Sequence, residues 1–150
     1  MPIITLTTDF GLDNYLNAVS KGLLLKDNPQ STVIELSTCV DAFNLMQSAY
    51  IVKSSFSNFA KGTHHIVLTG IYNQSINELL MVNYQGQYFY FFDNGLAPLL
   101  FETHYQVRAL KLDELFSYNL NNIVAAFASA ISAIERKVAM ESFTKPYTLH

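Results

Sequence analysis

The sequence predicts an α/β protein: a three-layer α/β/α sandwich around a mostly parallel central sheet, built as one domain over residues 1–141. Three observations carry this prediction. Strand-like apolar runs alternate with helical patterns through the first 70 residues. Two apolar runs end on a short polar side chain followed by a glycine, as Thr7-Thr8-Asp9-Phe10-Gly11 and Phe92-Asp93-Asn94-Gly95-Leu96. The run Tyr88-Phe89-Tyr90-Phe91-Phe92 has no polar alternation, so a strand there is covered on both faces by a helix, another layer or another subunit.

Residues 3–7 read as a buried parallel strand. Asp13 or Asn14 caps a helix to about Leu25, with Leu16, Val19, Leu23 and Leu24 on one side, and Asn28-Pro29 stops it. Val33-Ile34-Glu35-Leu36 is the second strand. Asn44 caps a second helix through about Phe56, with Leu45, Ala49 and Val52 inward. Lys61-Gly62 is a turn, and His65-Ile66-Val67-Leu68 the third strand. Two strands around Gln85-Gly86 make a hairpin, 79–84 with 88–92. A short helix over 96–101, a strand over 105–110 and a last helix from Asn121 or Asn122 to about Met140 follow. Residues 142–150 lack periodicity and read as a tail.

Half of the 150 residues are apolar and 14% are charged, which excludes disorder. A net charge of −3 with scattered Lys and Arg speaks against nucleic acid as a partner. Cys39 is the single cysteine, so neither an internal disulfide nor a cysteine zinc site is available. A reducing compartment, the cytoplasm, is the expected location. The chain opens without a signal-peptide pattern, and 123–134 is too short and too polar to span a membrane. His64 and His65 are adjacent and face opposite sides of a strand, so they cannot chelate together. No metal site and no resident cofactor are expected.

Parallel strands deliver their carboxyl ends to one edge. Asp9, the loop 37–44, the turn Thr69-Gly70 and the pair Asp93-Asn94 are therefore expected on one rim, around a nucleoside-sized cleft. Asp9 can accept from a vicinal diol, or serve as a capping or turn aspartate. Phe43 can stack on a base or sugar face, or staple the second helix to the core. Asn94 with Gly95 can present an amide to a ligand, or form a plain turn. Asp9 and Asp93 can approach as paired carboxylates. Lys21 reads as a solvated charge. At the third strand end the chain offers Thr69-Gly70-Ile71-Tyr72-Asn73, where nothing titrates near neutral pH.

Taken together, the fragments resemble the S-adenosylmethionine (SAM)-cleaving family of SAM hydrolases (hydroxide adenosyltransferases), fluorinase and chlorinase. The matching stretches are Ile4-Thr5-Leu6-Thr7-Thr8-Asp9-Phe10-Gly11 with Lys21-Gly22, then Val33-Ile34-Glu35-Leu36-Ser37 through Ala42-Phe43-Asn44-Leu45. Ala49-Tyr50, Gly62-Thr63-His64-His65 and Phe92-Asp93-Asn94-Gly95-Leu96 continue the match in order over about the first 110 residues.

The resemblance implies the N-terminal sandwich domain of that family. It also implies a trimer that holds an adenosyl ligand between this domain and the β-barrel domain of the next subunit. On that basis Asp9 would hold the ribose hydroxyls, Phe43 would be the aromatic cleft residue and Asn94 would line the cleft. The expected ligand-binding set is Asp9, Phe10, Phe43, Thr69, Gly70, Asp93 and Asn94, and the ligand is SAM or adenosine.

Three departures from the family pattern stand out. Gly70-Ile71-Tyr72 occupies the place of an Asp-Pro-Gly-Val-Gly stretch, and no arginine lies between Gly70 and Asp93. Asn119 takes the place of a histidine. Beyond Ser142 there is a short tail where the barrel domain is expected. Hydrolysis needs a water oriented and deprotonated near C5′, and neither Gly70 nor Asn119 titrates near neutral pH to take that proton. The expected function is therefore a truncated, catalytically impaired relative that keeps an adenosyl cleft. One alternative is an active enzyme turning SAM and water into adenosine and methionine, with Tyr72, Asn73 and Asp93 positioning the water. Another is a structural protein that self-associates through its aromatic strand.

Overall fold

The computed structural model describes every residue except 43, 73, 74 and 103. Its elements run β1 (Ile3–Thr7), α1 (Tyr15–Asp27), β2 (Thr32–Ser37), α2 (Leu45–Ser55), β3 (His64–Val67), β4 (Leu79–Tyr84), β5 (Gln87–Phe92), α3 (Ala97–Leu100), β6 (Val107–Leu110), α4 (Leu120–Glu135), α5 (Met140–Phe143) and β7 (Thr144–Pro146). The strands form one sheet in the order β2-β1-β3-β5-β4-β6-β7. Pairings β1–β2, β1–β3 and β3–β5 are parallel, and those of β4 with β5, β4 with β6 and β6 with β7 are antiparallel.

The layers follow from the handedness of crossovers. The chain passes from β1 to β2 on one side and returns from β2 past β1 to β3 on the other. Right-handed connections in opposite directions place α1 and α2 on opposite faces. The pleat then divides the apolar residues between two cores. Ile4, Leu6, Ile66, Met81, Tyr90 and Phe92 pack with Leu24 of α1 and Phe127 of α4. Val67, Leu80, Val82, Phe89 and Phe91 pack with Ala49 and Val52 of α2 and with Leu100 of α3.

The aromatic strand β5 is thereby covered on both faces inside this chain. Phe127 meets Tyr90 and Phe92 at ring distances of 5.7 and 6.2 Å, and Phe101 meets Phe89 at 5.1 Å on the other face. Phe89, Tyr90, Phe91 and Phe92 are buried by this chain's own helices and Tyr88 is half-buried, so the cover that the strand requires is supplied within the chain. The hairpin forms at Gln85-Gly86 as expected. Both residues have positive φ, the pattern of a type I′ turn.

The carboxyl-terminal third departs from the sequence reading. Helix α4 begins at Leu120 because Asn119, not Asn121 or Asn122, accepts from Asn122 N at 2.8 Å. It ends at Glu135 rather than near Met140. Lys137 N–H donates to Ile134 O and Val138 N–H to Ala133 O, with Lys137 at φ 59°. This is a Schellman closure with lysine in the position that glycine usually fills, so the usual stop signal is missing from the sequence. Residues 142–150 are not a free tail. Thr144–Pro146 pairs with β6, and Lys111 N–H donates to Phe143 O at 2.9 Å.

Candidate functional site

The parallel strands β1, β2, β3 and β5 end on one edge, and the chain reverses its lateral direction there between β1 and β3. Such a reversal opens a crevice between neighbouring loops. The β1 loop is built from short polar side chains that bind the backbone around them. Thr8 N–H donates to Ser37 O at 2.9 Å and Gly11 N–H to Thr38 O at 2.8 Å, clamping this loop to the end of β2. Thr8 Oγ1 donates to Asn17 Oδ1, and Asn17 Nδ2 donates to Gly11 O, which fix the loop to α1. Gly11 sits at φ 90°, a conformation that side-chain-bearing residues rarely adopt.

Asp9 does not cap the helix. Asn14 does, accepting from Leu16 N–H at 3.0 Å. Half-buried Asp9 reaches instead across the switch point, where its Oδ2 accepts from Gly70 N–H at 3.0 Å. Gly70 adopts φ 84°. Thr69 is buried, and its hydroxyl lies 2.5 Å from that of Ser48, tying the turn to α2. From the third loop, Asn94 Nδ2 donates to Thr69 O at 3.4 Å, while Asn94 Oδ1 accepts from Leu96 N–H at 3.2 Å. Asn94 thus forms a local turn and also touches the neighbouring loop. Loops far apart in sequence meet at Thr69-Gly70, as the topology predicted.

Other expected residues fall differently. Phe10 is half-buried, and its ring centroid lies 6.1 Å from that of the exposed Tyr72. Burial, then the nearby Tyr15 and the Asp9 carboxylate, hold the Tyr72 hydroxyl above the ordinary tyrosine range, so it stays protonated near neutral pH. Phe43 and Asn73 lie outside the described residues. The carboxylate of Asp93 is turned to a different partner from that of Asp9: its Oδ2 accepts from Tyr147 OH at 2.8 Å and from His150 N–H at 3.1 Å. Tyr147 is pushed up to about 12, first by burial and then by its bond to Asp93. No signal in the sequence pointed to Tyr147. Asn119 is spent on the cap of α4. Lys21 pairs with Glu35.

The two histidines face opposite cores, as alternation requires. His64 Nδ1 meets Tyr90 OH at 2.8 Å and its Nε2 meets Glu135 Oε2 at 2.9 Å. His65 bonds Thr5 Oγ1 and Gln87 Oε1, each at 2.6 Å. Burial lowers the pKa of both, against an opposing pull from Glu135 on His64 and from Gln87 on His65. Two open hollows of about 650 Å³ flank β6 near Tyr105, Gln106 and Arg108, and neither is lined by the rim residues. Size alone does not select the site; topology and hydrogen bonding do. Among the described residues no group of three His, Cys, Asp or Glu side chains could hold a metal. Among them no helix is long and apolar enough to cross a membrane.

Comparison with known proteins accords with this fold. An (R)-S-adenosyl-L-methionine hydrolase of Methanocaldococcus jannaschii is 29% identical over 118 residues, covering 76% of this chain and 45% of that protein. A crystal structure of an uncharacterized conserved protein from Thermotoga maritima superposes with a TM-score of 0.78 at 23% identity, covering 97% of this chain and 58% of the other. A conserved hypothetical protein from Thermus thermophilus gives 0.71 at 17% identity, covering 99% and 59%. These two structures share the fold. The chain spans about half the length of the proteins it matches. The family model for the SAM hydroxide adenosyltransferase N-terminal domain matches residues 4–143, nearly the whole chain, and the protein therefore belongs to that family.

Proposed function

We propose that this chain binds an adenosyl ligand at the β1–β3 switch point and does not hydrolyse SAM by itself. The observation that carries this reading is the Asp9 carboxylate, oriented by Gly70 N–H at 3.0 Å beside the turn that Asn94 also reaches. A carboxylate offers about four acceptor positions, and the Gly70 N–H takes one of them. The curated relative is named for (R)-S-adenosyl-L-methionine, which makes that epimer a ligand to test. Against turnover stand the residues themselves. Gly70 has no side chain, Asn119 is an amide committed to a helix cap, and Asp93 is hydrogen-bonded by Tyr147. Gly70 and Asn119 cannot take a proton from water at C5′ as a positioned base must, and Asp93 Oδ2 is turned to Tyr147 instead. We take the assembly to be a trimer, as the resemblance implies. Sedimentation showing only monomer removes that part.

The test is calorimetry with SAM, S-adenosylhomocysteine and adenosine, paired with an assay for methionine release. Saturable binding is expected, and Asp9→Ala should weaken it about tenfold or more, the worth of a hydrogen-bond pair to a carboxylate. Methionine should stay at the enzyme-free level. No heat with any ligand overturns the binding reading, and catalytic methionine release overturns the second half.

A further inference from the structure

Asp93 and Asn94 are neighbours at the end of β5, yet they are held from opposite directions. Asn94 reaches the Thr69 carbonyl of the neighbouring loop. Asp93 Oδ2 receives two donors, Tyr147 OH at 2.8 Å and His150 N–H at 3.1 Å, from a segment more than 50 residues later in the chain. That segment is itself anchored. Tyr147 N–H donates to Val107 O at 3.0 Å, which prolongs the pairing of β7 with β6. Tyr147 and Leu149 pack on the α2–α3 core, and the rings of Tyr147 and His150 meet edge to face at 5.6 Å. Bonds to an ionised carboxylate are about twice as strong as neutral ones.

We propose that residues 147–150 form a latch that holds the Asp93–Asn94 loop in its cleft geometry, with Tyr147 as a positioning residue for the bound ligand. A continuous set of contacts supports this role. Tyr147 holds Asp93, the adjacent Asn94 holds Thr69, and the adjacent Gly70 holds Asp9. Of these links, the 3.4 Å bond from Asn94 to Thr69 is the longest and is the one a loosened Asp93 releases first. The ligand readout rests on the adenosyl-binding reading; the latch itself does not.

Tyr147→Phe keeps the ring and its packing while removing the hydroxyl donor. Asp93→Asn keeps the shape and removes the charge. Amide exchange is followed by NMR at Asn94 and Leu96, whose N–H groups donate to Phe92 O and Asn94 Oδ1. Both variants should speed exchange there by roughly tenfold, with amides in β1 and β3 unchanged. The double variant should speed exchange by less than the two single effects combined, because both act on the Tyr147–Asp93 link. Adenosine binding should weaken by roughly threefold to tenfold in Tyr147→Phe. Unchanged exchange at Asn94 and Leu96 overturns the latch, whether or not adenosine binds. Equal acceleration in β1 and β3 also overturns it, since Tyr147 would then be a general anchor. Faster loop exchange with unaltered adenosine affinity overturns the positioning role. Failure of the unaltered chain to bind adenosine counts against the adenosyl reading alone, and exchange then decides the latch.

Discussion

Two threonines on β1, two residues apart, should respond oppositely to the same substitution. Thr5 is fully buried, and its hydroxyl lies 2.6 Å from His65 Nδ1. The tautomer of His65 is set from the far side of its ring. Gln87 Nε2 donates to Phe56 O at 2.9 Å and Phe59 O at 3.3 Å, so Gln87 Oε1 must accept, and His65 Nε2 must carry the hydrogen. His65 Nδ1 is then an acceptor, and the Thr5 hydroxyl is its donor. Thr5→Val keeps the shape and strands that acceptor in a core where it cannot reach water. Neither a tautomer change nor an amide flip rescues it: the first sets His65 Nε2 against Gln87 Oε1 as two acceptors, and the second sets Gln87 Nε2 against His65 Nε2–H as two donors. The cost is about 1–3 kcal/mol. For a domain of this size that is a drop in melting temperature of roughly 2–12 °C. Thr7 is also fully buried, but its hydroxyl has no hydrogen-bond partner among the described residues. Thr7→Val removes an uncompensated desolvation and should leave the melting temperature unchanged or raise it. Circular dichroism melts at pH 7.5 measure both. Equal shifts for the two variants, or a Thr5→Val melt within about 1 °C of the parent, would refute the tautomer argument.

Other expectations follow from the same packing. Burial holds His64 and His65 neutral in the fold, while the unfolded chain protonates them near their ordinary value of about 6.5. Stability is therefore full above about pH 6.5 and falls below it, by at most about 1.4 kcal/mol per pH unit for each histidine. Urea midpoints at pH 7.5 and 5.5 read this, and an equal or higher midpoint at 5.5 contradicts it. Lys137 occupies the left-handed position that closes α4, so Lys137→Gly should raise stability by about 1 kcal/mol. A lower urea midpoint for that variant would mean that the lysine side chain makes a compensating contact.

The local pattern of residues was enough to place the first two-thirds of the fold. Apolar runs and helical spacing depend on neighbours a few positions away, so β1, α1, β2, α2 and the hairpin at Gln85-Gly86 could be read directly. The meeting of Asp9, Thr69-Gly70 and Asn94 was also legible, because parallel strands must end on a common edge whatever their distance in sequence. Three features depended on the folded chain. Lys137 closes α4 in a conformation that no lysine announces, because the two hydrogen bonds of the Schellman closure supply the preference. Residues 144–146 become a strand only because β6, more than 30 positions earlier, offers an unpaired edge. Asp93 belongs by sequence to the cleft motif, but its carboxylate is claimed by Tyr147 from that added segment. Periodicity encodes which face of an element is buried; it carries no record of which distant donor a side chain will meet, and that partner is chosen only when the layers pack.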